Sequence, residues 1–112
     1  MLSIPDCINN LDANGRPAGG SVQGVGLTIH WQNGPLSLGG TRLSPNGAFV
    51  ETIIEAVLQR IEFYQGSPFA CDENARAIGY LEGALLALRQ RTARRTEQGI
   101  EGTWTPDTEV AK

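Results

Sequence analysis

The pattern of apolar and polar residues divides the chain into segments of different character. Residues 1–20 are interrupted throughout by proline, asparagine and glycine, which predicts an N-terminal arm or loop with little core of its own. Residues 21–43 carry β-forming side chains, and Leu27, Ile29 and Trp31 alternate with polar neighbours as in a half-buried strand. The pattern therefore predicts a small antiparallel β segment after the arm.

A tight turn is predicted directly after this strand. Asn33-Gly34 accepts the positive φ angles of a hairpin turn. Residues 35–43 are then the expected return strand, with a bulge or bend at Gly39 and Gly40.

The apolar period then lengthens to that of an α-helix. Ser44-Pro45, a capping residue followed by proline, predicts the start of a first helix that ends before Gly66. Its apolar face is wider than one partner helix can cover, so we expect a homo-oligomer. This face comprises Phe49, Val50, Ile53, Ile54, Ala56, Val57, Leu58, Ile61, Phe63 and Tyr64.

A second helix is predicted from the lead-in Ser67-Pro68 to about Gly99. Its core stripe consists of Ile78, Leu81, Leu85 and Leu88. The short connection predicts that the two helices pack as an antiparallel hairpin over residues 44–98, followed by an extended tail over 99–112. The fold class is thus α+β, in a single domain over 1–112, with a small antiparallel β segment preceding a helical hairpin.

Composition narrows the range of partners. The net charge of −3, with 19% charged residues, argues against binding DNA or RNA polymers. No apolar run reaches the roughly 20 residues of a membrane helix, and the first ten residues lack the pattern of a secretory signal. Cys7 and Cys71 have no CxxC spacing or histidine partner, which favours two buried or idle thiols in a cytoplasmic protein over a disulfide or a metal site.

Four arginines, however, lie within seven residues. They are Arg89, Arg91, Arg94 and Arg95, and only four other arginines occur in the chain. Cations are favourable near a helix C-terminus, but two would satisfy that role. The guanidinium fork and its stacking face suit a phosphate or a planar ring, so the cluster favours an anion site.

Two polar residues interrupt the apolar stripe of the second helix. Asn74 has the structural alternative of bonding local backbone at a helix start, and Thr92 that of lying beyond the core. Asn74 and Arg91 are 17 positions apart, which is roughly 25 Å along a straight helix. One small ligand can therefore contact both only where two subunits meet.

Catalytic and metal-binding patterns are missing from the sequence. The single histidine, His30, is expected to be a structural or surface residue, and the sequence contains no phosphate loop, HExxH or Gly-x-Ser-x-Gly motif. The sequence therefore predicts a binding protein without a metal or a cofactor, not an enzyme.

A family resemblance makes the prediction more specific. The stretch FYQGSPFACDENARAIGYLEGALLALRQRTARRTEQGIEGTW resembles the phage anti-Thoeris sponge family (Thoeris anti-defence protein one), whose second helix begins FxCRENxxAI and ends close to RTxDRxxRGVEGTH. The upstream IHWQNGPLSLGGTRLSPNG is similar to the strand segment of that family, so the resemblance covers about residues 27–104. The helical hairpin alone is similar to that of the anti-CBASS protein two sponge.

The resemblance implies sequestration without cleavage. Such proteins bind glyco-cyclic ADP-ribose isomers in the host cytoplasm, which keeps the Thoeris effector inactive. Some relatives also hold CBASS cyclic oligonucleotides at separate sites in a hexamer, so the expected homo-oligomer is a dimer or a hexamer. The family's binding positions correspond to Tyr64, Asn74 and Arg91, and the candidate ligand-binding residues are Tyr64, Asn74, Arg91, Thr92, Arg95 and Trp104.

The chain departs from the family pattern at four positions. Asp72 stands where the family has an arginine, and Arg94 stands where it has an aspartate. An ion pair between these two positions would be preserved with its charges exchanged. Gln98 replaces an arginine, and Trp104 replaces a histidine and offers a second stacking face. The alternative interpretation is an interaction module that masks a partner protein through the apolar face of the first helix. It requires neither a nucleotide nor the arginine cluster.

Overall fold

The computed structural model describes residues 5–105. They form two units: a β unit made of residues 5–49 with 98–105, and a helical unit, Val50–Glu97. The predicted α+β class is confirmed, since antiparallel strands precede two helices. The elements are β1 (Asp6–Leu11), β2 (Pro17–Gly24), β3 (Leu27–Trp31), β4 (Ser37–Leu38), β5 (Thr41–Arg42), α1 (Val50–Gln65) and α2 (Asp72–Glu97).

Strands β1, β2 and β3 form an antiparallel sheet in that order. The prediction of an N-terminal arm over residues 1–20 is therefore wrong for β1 and the start of β2. Every residue of β1 is exposed, so no alternation of apolar and polar positions marks this strand. Gly20 of β2 has a φ of 146°, and a Cβ there would lie 2.0 Å from the carbonyl oxygen of Ile8. Gly20 thus allows β1 and β2 to approach closely, where any other residue would clash.

The predicted hairpin at Asn33-Gly34 is also wrong. The turn at Val25-Gly26 joins β3 to β2, and residues 35–43 do not pair with β3. They instead contain the two-stranded ribbon β4–β5, whose turn is Gly39-Gly40, both with positive φ. Trp31 at the end of β3 forms a parallel bridge with Ala48.

Helix α1 begins at Val50, five residues later than the predicted start at Ser44-Pro45. The backbone amide of Asn33 donates to the side-chain oxygen of Asn46 at 2.8 Å, and the side-chain amide of Asn46 donates back to the carbonyl of Asn33 at 2.8 Å. The amide of Ala48 donates to a carbonyl of β3 at 2.7 Å. These bonds hold the segment beside β3, so tertiary contacts override its helix-start signal.

The helical hairpin agrees with the sequence. Helix α1 ends before Gly66, whose amide donates to the carbonyl of Glu62 at 3.1 Å, and α2 ends two residues before Gly99, whose φ is 71°. Arg89 in the second half of α2 forms an ion pair with Glu55 in the first half of α1, as expected for antiparallel helices. The predicted stripe on α2 is buried or half-buried: Ile78, Leu81, Leu85 and Leu88.

Residues 100–105 form turns and do not continue as the predicted extended tail. The carbonyl of Gly102 accepts hydrogen bonds from the amides of Leu36 at 2.6 Å and Ser37 at 2.9 Å. Glu101 bonds Arg42 at 2.7 Å, and this hydrogen bond raises the pKa of the guanidinium. The segment is therefore bound within the β unit, and residues 106–112 of the predicted tail lie outside the described range.

Candidate ligand-binding residues

Helix α2 carries four of the six candidate residues on one continuous element. Asn74 lies in its first turn, whereas Arg91, Thr92 and Arg95 lie in its last turns. Because the helix is unbroken from Asp72 to Glu97, the separation of roughly 25 Å between Asn74 and Arg91 applies to the folded protomer. The structure therefore does not bring these two residues together within one chain.

Asn74 is half-buried beside the turn between the helices. Its side-chain amide donates to the carbonyl of Phe69 at 3.4 Å, and its backbone amide donates to the Cys71 sulfur at 3.4 Å. The local backbone role that the sequence left open is thus present, although the side-chain bond to Phe69 is long. A bond of this length leaves the side-chain amide able to exchange its local partner for a ligand.

Tyr64 lies next to the last residue of α1, close in sequence to the same turn, and 39% of its surface is exposed. Its ring meets that of Phe63 edge to face, with 5.9 Å between centroids. The guanidinium carbon of Arg60 lies 4.8 Å from the centroid of each ring, within the range of a cation–π interaction. Sequence reasoning missed Arg60, although its spacing of three and four residues from two aromatics was the available signal.

The four clustered arginines have different environments. Arg89 is paired with Glu55 across the hairpin. Arg95 is 8% exposed and continues the buried stripe of α2, whereas Arg91 is exposed. Of the two candidate arginines, Arg91 is therefore the more accessible to a ligand.

Thr92 is half-buried on the same stripe. Its hydroxyl donates to the carbonyl of Leu88, one turn earlier, at 3.2 Å. This bond satisfies the hydroxyl within the helix. Thr92 therefore lies within the stripe and not beyond the core, as the structural alternative had it, and its role in ligand binding stays a prediction.

Trp104 belongs to the β unit. Its side chain is 41% exposed, and the guanidinium carbon of Arg16 lies 4.0 Å from its ring centroid. Arg16 was not predicted, and a separation of 88 positions in the sequence gives no local signal for this pair.

Potential metal ligands are dispersed over the described range. His30 is exposed on β3, as expected of a surface histidine. Among residues 5–105, no group of three or more histidine, cysteine, aspartate or glutamate residues is placed to hold a metal ion. In the same range, neither helix combines the length and apolar character needed to cross a membrane.

Comparison with known proteins identifies the family. No protein-family model matches the chain. The chain is 43% identical over 76 residues to a phage anti-defence protein, and the match covers 68% of this chain. That relative is Thoeris anti-defense 1 of Bacillus phage SBSphiJ7, and the chain belongs to its family, as the sequence resemblance indicated. The matched region corresponds to 51% of the relative, so the chain spans about half its length.

Proposed function

We propose that this protein acts in the cytoplasm of a phage-infected cell, where it sequesters glyco-cyclic ADP-ribose signals without cleaving them and keeps the Thoeris effector inactive. The observation that carries the proposal is the 43% identity to a phage protein named Thoeris anti-defense 1. CBASS cyclic oligonucleotides are a second ligand class within the same proposal.

Residues near the turn between the helices supply chemistry suited to a nucleotide. Tyr64 offers an exposed ring on which a base can stack, and Asn74 offers a weakly bonded amide. Arg91 offers an exposed guanidinium for a phosphate, but roughly 25 Å away along α2. We therefore place the pocket where α2 helices of two copies meet, with Asn74 from one copy and Arg91 from another.

Exposed apolar side chains support assembly of such copies. In the described part of the chain only Ile29 and Leu85 are buried hydrophobic residues, and each keeps a few per cent of its surface exposed. On α1, Val50 and Val57 are 49% and 44% exposed. Together with Tyr64 they recur every seven residues, so they share one side of the helix. A homo-oligomer that covers this side would remove a continuous apolar stripe from water.

The function is tested by ligand recovery. The protein is incubated with glyco-cyclic ADP-ribose, separated from free nucleotide and boiled, and the released material is identified by mass spectrometry. A sequestering protein removes the signal from solution and returns it intact. Recovery of cleavage products, or failure to remove the signal, would contradict the proposal, and a cyclic oligonucleotide in a parallel sample tests the second ligand class.

The exposed stripe of α1 also favours one alternative, a module that masks a partner protein. Such a module would leave the nucleotide in solution at all protein concentrations. The amount of nucleotide left in solution would also be the same for the wild type and for Arg91→Ala, since Arg91 is not on α1. The recovery assay with this variant distinguishes the two functions.

A further inference from the structure

Hydrogen bonds hold the backbone of the residues that directly precede Trp104 in the sequence. The carbonyl of Gly102 accepts two amide hydrogen bonds, and Glu101 is bonded to Arg42. The hydroxyl of Thr103 donates to the carbonyl of Ile100 at 2.6 Å. The backbone that leads into Trp104 is therefore restrained before any ligand arrives.

Arg16 covers one face of this ring and is itself held in place. Its Nε donates to Asp12 Oδ2 at 2.9 Å, and its backbone amide donates to Asp12 Oδ1 at 3.0 Å. The guanidinium carbon then lies 4.0 Å from the Trp104 ring centroid. Asp12 thus orients Arg16, and Arg16 restrains the indole.

We propose that Arg16 is a positioning residue that presents the open face of Trp104 as a stacking platform for a nucleobase. The inference rests on the proposed function, because it assumes a nucleotide ligand. An aromatic face stacks on any base, so the platform would accept a purine without reading its identity.

The exposure of the ring argues for this role over simple anchoring. Gly102 and Glu101 already attach the segment to the β unit. A tryptophan needed only as a further anchor would bury its ring, yet Trp104 remains 41% exposed while Arg16 occupies one of its faces. An exposed indole with a fixed orientation is suited to bind a planar group without a large loss of rotamer entropy.

The experiment uses the full chain with Trp31→Phe, which leaves Trp104 as the single tryptophan. Glyco-cyclic ADP-ribose is titrated while indole fluorescence and affinity are measured. We expect ligand-dependent quenching, and a loss of affinity of at least about 5-fold for Trp104→Ala. Arg16→Ala should weaken binding by about 2- to 5-fold and reduce the quenching, and Arg16→Lys should restore part of both.

A matched control and a double variant separate positioning from other effects. Arg76→Ala removes one exposed positive charge from α2, distant in sequence from the platform, and should leave the quenching unchanged. Arg16→Ala should have no further effect when Trp104 is already alanine, since it acts through that ring. Melting curves establish that each variant is folded at the assay temperature.

Three results would overturn the inference. If the parent protein does not bind the nucleotide, both this inference and the proposed function fail. If the parent binds and Trp104→Ala binds equally well, the platform fails while the proposed function stands. If Arg16→Ala changes affinity equally with and without Trp104, Arg16 does not act by positioning the ring.

Discussion

Tyr64 keeps an exposed ring near the end of α1, where Arg60 approaches both it and Phe63. A guanidinium at this distance restrains an aromatic ring without burying it. Trp104 and Arg16 repeat the arrangement in the β unit. At the residue scale, each aromatic predicted to stack on a base therefore has an arginine beside it, and neither arginine was among the predicted residues.

Substitution of Tyr64 tests its proposed stacking role. Tyr64→Ala should cost roughly 1–3 kcal/mol of binding to glyco-cyclic ADP-ribose, because a base–aromatic stack is lost. Tyr64→Phe should retain most of the affinity, since the ring remains. Isothermal titration calorimetry measures both variants, and equal losses would show that the hydroxyl, not the ring, makes the contact.

At the element scale, the turn between β1 and β2 depends on one carboxylate. Asp12 Oδ1 accepts backbone hydrogen bonds from Asn14 at 2.8 Å and Arg16 at 3.0 Å. These bonds, above all the one from the Arg16 amide, lower the pKa of Asp12. The ionised carboxylate is thus bound more favourably in the folded turn than in the unfolded chain.

This turn gives the protein a pH dependence in acid. A lowered pKa contributes stability that is present above the unfolded pKa of about 4 and is lost as the pH falls through the folded pKa. The melting temperature of the wild type should therefore fall between about pH 5 and pH 3 more steeply than that of Asp12→Asn. The asparagine retains an acceptor for the backbone amides but does not titrate. Parallel melting curves for the two proteins would contradict this assignment.

At the scale of the whole molecule, the exposed stripe of α1 is the basis of the proposed assembly. Val57→Glu places a charge on a side chain that is exposed in the protomer, so the protomer should still fold. In the proposed interface the unpaired charge would cost several kcal/mol and break the oligomer. Light scattering at low micromolar concentration should show a mass near 12.0 kDa for the variant and a multiple of it for the wild type.

An exposed polar residue of α1, Gln59, supplies the matched control. Gln59→Glu adds the same charge to an exposed position on the same helix, away from the apolar stripe. It should leave the oligomer intact. A monomeric wild type, or equal effects of Val57→Glu and Gln59→Glu, would refute assembly through the stripe.

Mixed oligomers test whether two subunits share one pocket. Arg91→Ala and Asn74→Ala should each abolish tight binding, because each removes one side of the proposed site. After subunit exchange, mixtures of the two variants should regain some sites of near-native affinity, since a wild-type Asn74 can meet a wild-type Arg91. Mass spectrometry verifies that mixed oligomers form, and verified mixtures that never bind would exclude a shared pocket.

Local sequence patterns determined the helical part of the fold. The 3.6-residue period, the stop at Gly66 and the stripe through Leu85 are properties of neighbouring residues, so both helices and their antiparallel packing were predictable. The candidate residues Asn74 and Arg91 were also singled out from local sequence, Asn74 because it interrupts the apolar stripe of α2 and Arg91 because it belongs to the arginine cluster. Their separation along α2 followed from helix geometry alone.

The tertiary structure decided the β unit and the environment of the candidate side chains. Strand β1 is exposed on both faces, so its residues carry no periodic signal, and only pairing with β2 makes it a strand. Asn46 leaves the predicted helix because it bonds Asn33, and the ring of Trp104 lies against the guanidinium of Arg16. These contacts join residues far apart in the chain, and no local pattern of apolar and polar positions encodes such pairs.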